Sequence, residues 1–251
     1  MRTVFLRALI LLLLLCSLAS CVYLRLLEVK NQLAHFDENF RVGVTDHFTL
    51  HFLHPVLFSD DFIELSKLRP SRVEPLPNGT RWYQEFHKVD AAGQRQLGVD
   101  IVFALTFDKE NKLVSWDFSP VFMAMVPAQF FEASLRSLGK GKVDESKKRL
   151  YVDPQDLPKL SVKPPTRETI LDIMGPPVEQ SEKEKLRVYV YRFEVETPHL
   201  DRDYEDRRTA IIKLYFHPST DELIKMGGKF VGLKIAIDLH KLEEERRTAL
   251  K

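Results

Sequence analysis

The same succession of signals occurs twice along this chain, and that recurrence constrains its fold more than any other feature. In the second stretch Thr166 is placed to cap a helix, Glu168 sits in the first turn, Ile170, Ile173 and Met174 form an apolar stripe, and Gly175-Pro176-Pro177 stops it. In the first stretch Ser59 takes the cap position, Asp60 and Asp61 fill the first turn, Phe62, Ile63 and Leu65 make the apolar side, and Arg69-Pro70 ends the helix. An arginine follows each stop at the same distance, Pro70 to Arg81 and Pro176 to Arg187. Each arginine opens an aromatic and β-branched run, RWYQEFHKV or RVYVYRFEV, that reads as a strand. A returning strand comes next, DIVFALTF at 100–107 and TAIIKLYF at 209–216, closed by the turns Lys109-Glu110-Asn111 and Pro218-Ser219-Thr220. Third strands run from Leu113 to Phe118 and from Leu223 to Phe230. The spacing between copies grows from 106 positions (Arg81 to Arg187) to 109 (Leu105 to Leu214), so the first hairpin loop of the second copy is three residues longer. Insertions belong in loops.

Alternation sets the buried side of each meander. Val99, Ile101, Phe103, Leu105 and Phe107 share one face of their strand, as do Ala210, Ile212, Leu214 and Phe216, so the helices are expected on those faces. The expected fold class is therefore α+β: a tandem repeat of a helix (or helix pair) packed on an antiparallel β-meander. One continuous sheet and two sheets meeting at an interface both satisfy this pattern. Between the copies, PAQFFEASLRSL at 127–138 predicts an amphipathic helix, GKGKVDESKKR a charged connector, Lys148 to Val152 a short strand, and Asp153 to Pro165 a proline-rich extended linker.

The first twenty residues carry an address. Arg2 precedes and Arg7 interrupts an apolar run from Val4 to Leu15 that is shorter than a spanning helix needs, and small residues follow it. Leu18-Ala19-Ser20-Cys21 resembles the lipobox of bacterial lipoproteins. That resemblance implies cleavage before Cys21 and acylation of its sulfur and new amine, the palmitate class of modification, and two or more acyl chains anchor a protein stably. Val22 stands where an aspartate signals inner-membrane retention in many Gram-negative species, so the resemblance favours the outer membrane, with the domain facing the periplasm. The segment from Tyr23 to Phe40 has leucines near helical spacing and predicts a helical tether. The expected organisation is a signal peptide at 1–20, a lipidated tether and helix at 21–44, a first repeat at 45–125, a connecting helix and linker at 126–165, a second repeat at 166–238, and a charged tail at 239–251.

The strings ILDIMGPPVEQ, RVYVYRFEVE and AIIKLYFHPSTDELIKM resemble the BamE (SmpA/OmlA) family of small outer-membrane lipoproteins, in which a helix ending in a G-x-P turn leads into an aromatic strand and hairpin. The likeness spans roughly Thr166 to Phe230 and, more weakly, Ser59 to Phe118. The same unit occurs doubled in the β-lactamase-inhibitor-protein fold. These resemblances imply a binding or scaffolding lipoprotein without catalysis, partnered by another envelope protein, or alternatively an inhibitor of a periplasmic enzyme.

Composition narrows the remaining classes. With 37 basic and 36 acidic residues the formal charge is +1, so nothing points to nucleic acid. Of the two cysteines, Cys16 lies in the leading apolar run, so a chain starting at Cys21 carries one and builds no disulfide framework or cysteine-based zinc cluster. There is no G-x-S-x-G, H-E-x-x-H, phosphate loop or dinucleotide fingerprint. The chain is therefore expected to be non-enzymatic, without catalytic residues, cofactor, resident metal or small-molecule substrate. His47 and His51 share one side of HFTLHFLHP and would anchor a hydrolase or metal site if acids gathered round them; an exposed polar strand face explains them better. In HLDRDYEDRR, Asp201, Asp203 and Glu205 are spaced like the opening of a calcium loop but lack its glycine at position six and glutamate at position twelve. As the segment that differs most between copies, its residues Asp201, Asp203, Tyr204 and Glu205 are the best sequence candidates for partner contact. Cys21 is the lipidation candidate.

Overall fold

The computed structural model describes residues 21–144, 149–153, 157–230 and 233–242. The expected signal peptide at 1–20 and residues 243–251 of the expected tail lie outside the described residues. The chain opens with helices α1 (Cys21–Ala34) and α2 (Phe36–Asn39) and strands β1 (Phe40–Val44) and β2 (Phe48–Phe52). Helix α3 (Ser59–Ser66) precedes β3 (Arg72–Leu76), β4 (Gly79–Val89), β5 (Arg95–Phe107) and β6 (Leu113–Phe118). Helices α4 (Pro120–Met125) and α5 (Ala128–Leu138) follow, then a small hairpin of β7 (Lys142–Asp144) and β8 (Arg149–Tyr151). Helix α6 (Arg167–Met174) leads into β9 (Glu179–Lys183), β10 (Leu186–Val195), a 3-10 turn at Arg202–Arg207, β11 (Thr209–Phe216), β12 (Leu223–Phe230), β13 (Leu233–Asp238) and α7 (Leu239–Leu242).

The fold is α+β, built on one 11-stranded antiparallel sheet ordered β1-β2-β6-β5-β4-β10-β11-β12-β13, with β3 added on β4 and β9 on β10. Continuity comes from the lengths of the two central strands. One edge of β4 pairs with β5; the other is shared, β3 taking Gly79–Tyr83 and β10 taking Phe86–Val89. Strand β10 mirrors this: β11 on one edge, β9 on Leu186–Val190 and β4 on Arg192–Val195 of the other. Of the two packings that alternation allowed, the single sheet is the one formed.

Identical contacts recur in each half. The residue before each helix bridges the third hairpin, Phe58 to Lys112 and Thr166 to Glu222. Leu113 N–H donates to Leu57 C=O at 2.8 Å, and Leu223 N–H to Pro165 C=O at 2.9 Å. Both hairpins turn through one left-handed residue, Asn111 at φ 61° and Asp221 at φ 55°.

Apolar alternation places the helices on one face. Phe62 of α3 packs on Phe107 and Trp116, Phe122 of α4 on Phe103, and Phe131 of α5 on Phe48 and Phe118. In the second half Ala210, Ile212, Leu214 and Phe216 are fully buried with Ile170 and Met174 of α6. Phe230 of β12 crosses to Phe86 and Phe103, so both halves share one core.

Several local expectations are corrected. The N-cap of α3 is Phe58, not Ser59; the Asp61 carboxylate accepts the Phe58 N–H at 2.9 Å, because the acid at N3 can reach back to the cap where Phe58 offers no side-chain acceptor. That helix ends at Ser66 through Lys67 in the left-handed conformation, three residues before Pro70. Leu65 and Ile173, assigned to apolar stripes, are each 41% exposed; eight-residue helices give each face only two or three core positions. The expected helix from Tyr23 to Phe40 breaks at His35, and Phe40 begins β1. Thr166 does cap α6, its hydroxyl accepting from Thr169 N–H, and Gly175 ends it at φ 65°.

Helix α1 is seated on the body. Arg25 forms a two-pronged ion pair with buried Asp61, its Nε donating at 2.7 Å, and Gln32 donates to His54 C=O at 2.9 Å. The seat depends on Gly139, where a Cβ would fall 2.3 Å from Ala34 N. Gly139→Ala is expected to push α1 off α5 and to cost about 1–3 kcal/mol, the range for forcing added volume into a packed contact. A urea unfolding series on the purified protein checks it.

Candidate functional site

The sheet face opposite the helices carries the polar chemistry. Register places Thr49, Asp117, Tyr83 and Arg81 on this face of the first half, because Trp82, Phe103 and Trp116 alternate toward the helices. Asp117 organises them: Thr49 Oγ1 donates at 2.5 Å, Arg81 Nη2 at 2.7 Å, and His47 Nε2 lies 3.5 Å away. Arg72 lies over the Tyr83 ring, its guanidinium carbon 3.6 Å from the centroid.

In the second half the same face is basic. Arg192, Ile211, Lys229 and Lys234 stand in one row across β10 to β13; Val190 and Lys213 stand in the next, and Tyr215 and Lys225 in the third. Lys225 Nζ lies 5.7 Å from the Tyr215 ring centroid, Asp238 of β13 stands opposite Lys225 in the third row, and Lys229 pairs with Asp206 at 2.9 Å, so the face is basic on balance rather than throughout. None of the described helices covers this face.

Where β4 meets β10, the face holds its densest group of titratable side chains. His87 is 9% exposed; Asp100 Oδ1 lies 3.0 Å from its Nδ1 and Glu196 Oε2 lies 2.7 Å from its Nε2. Arg95 pairs with Asp100 at 3.0 Å, and Glu85 stands beside Glu196. The backbone holds this corner firmly: Glu196 N–H donates to Glu85 C=O at 2.9 Å, and the Glu196 carbonyl accepts from the Ser71 hydroxyl. Sequence reasoning missed this group, since Glu196 meets His87 only through the β4–β10 pairing.

The seam is braced on its other side too. Buried Lys88 donates to the carbonyls of Met174 and Pro176 at 2.6 and 2.8 Å, placing a cation at the C-terminus of α6, and burial lowers its pKa. Tyr191 donates to Gly175 C=O at 3.1 Å and burial raises its pKa.

Comparison with protein-family models, with curated proteins and with solved structures finds no match.

The sequence candidates are dispersed. Cys21 is the first residue of α1, with Tyr23 and Leu24 exposed just after it. The loop candidates lie in and beside the 3-10 turn. Asp201 sits 2.9 Å from His199 Nε2, Glu205 pairs with Arg208 at 3.0 Å, and Asp203 is exposed. Hydrogen bonding to Arg208 lowers the Glu205 pKa. Tyr204 is partly buried between Lys67 and Arg207, and Arg207 donates to Leu65 C=O at 2.7 Å, so the loop closes the end of α3. Its acids do not converge on a shared point. His51 is exposed on β2 while His47 turns to Asp117, so the two do not combine either. The aromatics of the two central strands divide: Tyr83 is on the open face, whereas Trp82, Tyr189, Tyr191 and Phe193 belong to the core because alternation turns them to the helices. A shallow depression is bordered by Gln180, Ser181, Glu182, Lys185, Arg187 and Pro218, and no histidine stands among these residues to activate the Ser181 hydroxyl. No described helix is long and apolar enough to cross a membrane.

Proposed function

We propose that this chain is a non-enzymatic lipoprotein of the bacterial outer membrane, anchored through Cys21, that binds another envelope protein through the open face of its sheet. The observation that carries the reading is that face: nine strands wide along the main path of the sheet, free of described helices, and studded with Tyr83, Tyr215, Arg192, Lys213 and Lys225. Aromatic and arginine side chains on a rigid scaffold suit protein recognition. The anchoring part rests on the lipobox and on α1, which seats the residues after Cys21 directly on the body and leaves Tyr23, Leu24 and Leu26 exposed beside the anchor point. The recurrent contacts at Phe58 and Thr166, Asn111 and Asp221 support reading 45–125 and 166–238 as two copies of one BamE-like unit fused through β4 and β10.

The basic rows of the second half favour an acidic surface on the partner. A photo-crosslinker at Lys213 of the full chain in its native membrane is expected to give a discrete protein adduct, and the same probe at exposed Glu168 on α6 is expected to give none. The double charge reversal Lys213→Glu with Lys225→Glu, probed from Tyr83, should cut that adduct at least tenfold. Equal yields from both faces, or indifference to charge reversal, defeats the proposal. An inhibitor of a periplasmic enzyme would use the same uninterrupted sheet; loss of the captured partner's activity identifies that case.

A further inference from the structure

We propose that Glu85, His87 and Glu196 form a binding site for a divalent metal ion of the zinc class that clamps the two halves of the sheet together. Each side chain presents one ligand atom, and these atoms all lie within 4.8 Å of one another. Ligands about 2.1 Å from zinc stand roughly 3.4 Å apart in a tetrahedral site, so small side-chain rotations complete the coordination. The donor set is one imidazole nitrogen and two carboxylate oxygens, with no sulfur, which suits zinc and its first-row neighbours rather than soft ions.

The surroundings favour a ligand role for the histidine. Asp100 sits at Nδ1 and is itself held by Arg95, so the Nδ1 proton is directed to Asp100 and Nε2 is left as the donor toward Glu196 and Glu85. A carboxylate on the far nitrogen is the usual outer partner of a metal-bound imidazole; it fixes the tautomer and raises basicity. The ring is buried against the sheet while the two glutamates, 27% and 55% exposed at their side chains, open to solvent and give the ion an entry path. Glu194 lies opposite His87 in the strand register and adds negative charge nearby. Arg72 Nε, 3.9 Å from Glu85 Oε1, is the competing cation that zinc must displace.

The location gives the ion a role. Glu85 and His87 belong to β4, and Glu196 follows the last residue of β10, so one ion cross-links the strands that alone join the halves through backbone pairing. All three ligands belong to this chain, so metal binding is measurable without lipid attachment and without a partner on the open face.

The test is zinc titration of the purified full chain in detergent after treatment with a chelator, read by calorimetry and by melting temperature. One strong site per chain is expected, with melting raised by about 5–10 °C when zinc stands a hundredfold above its Kd. Glu196→Gln, at a largely exposed side chain, should fold normally and weaken binding at least tenfold. His87→Asn should abolish it, and Asp100→Asn should weaken it about 10–100-fold, the range for outer-shell partners. Absence of stoichiometric binding by the wild-type chain overturns the proposal. So does zinc affinity unchanged in Glu196→Gln, which places the ion elsewhere; that variant decides the matter if His87→Asn does not fold.

Discussion

On the proposed lipoprotein reading, replacing Cys21 by serine should abolish acylation and cleavage by lipoprotein signal peptidase and remove the chain from the outer-membrane fraction. The size of the effect follows from the anchor. Each buried methylene of an acyl chain contributes about 0.8 kcal/mol, so three long chains hold essentially all molecules at the bilayer. Tyr23, Leu24 and Leu26 are exposed beside Cys21 and supply at most about 1.5–3 kcal/mol each on full burial, which gives reversible contact at best. Fractionation with mass spectrometry of the mature N-terminus reads both consequences. Normal processing and unchanged sedimentation of the serine variant would remove the lipoprotein reading. Because α1 is pinned by Arg25 to Asp61 and by the close approach at Gly139, an acyl anchor on Cys21, as proposed, would hold the body next to the bilayer.

The largest expected effect on stability is at Phe118. Its ring meets Phe48, Phe103, Trp116, Phe122 and Phe131 with centroids 4.7 to 5.9 Å apart, joining strands β2, β5 and β6 to helices α4 and α5. Phe118→Ala removes a buried ring and leaves a cavity that five aromatic neighbours are too rigid to fill. A loss of about 3–5 kcal/mol is expected, which for a chain of this size lowers the melting temperature by roughly 6–20 °C. Thermal unfolding followed by circular dichroism checks it; a shift below about 2 °C would mean that the cluster repacks freely.

Much of the local structure was legible in order. The strands at Leu113–Phe118, Thr209–Phe216 and Leu223–Phe230 carry period-two alternation, and the structure forms them over those residues. The cap at Thr166 and the stop at Gly175 were equally legible, since a hydroxyl acceptor and a residue tolerant of positive φ are local requirements. Other elements had no such signal. Strand β9 reads EQSEK, exposed throughout, and exists because the edge of β10 needs a partner along Leu186–Val190. Strand β3 holds Pro75 and is an edge piece for the same reason. Helix α4, PVFMAM, is too short for periodicity to declare itself.

The candidate site shows the same division. Cys21 stood out because a lipobox is contiguous, whereas His87, Asp100 and Glu196 are spread over 110 positions with no spacing rule to link them. Lys88 carries no local signal within its aromatic strand; only the arrival of α6 from the other half gives its ammonium two carbonyls to meet.

By itself the sequence determined several of the strands and helices and the side that the main strands bury, because capping, turn chemistry and alternation act between residues close along the chain. Tertiary structure alone decided that β4 and β10 pair into one sheet, that α1 is held against the body, and that two glutamates and a histidine from separate halves stand together. Those outcomes depend on edges left open after local pairing is satisfied, and an open edge is filled by whatever strand the rest of the fold brings to it.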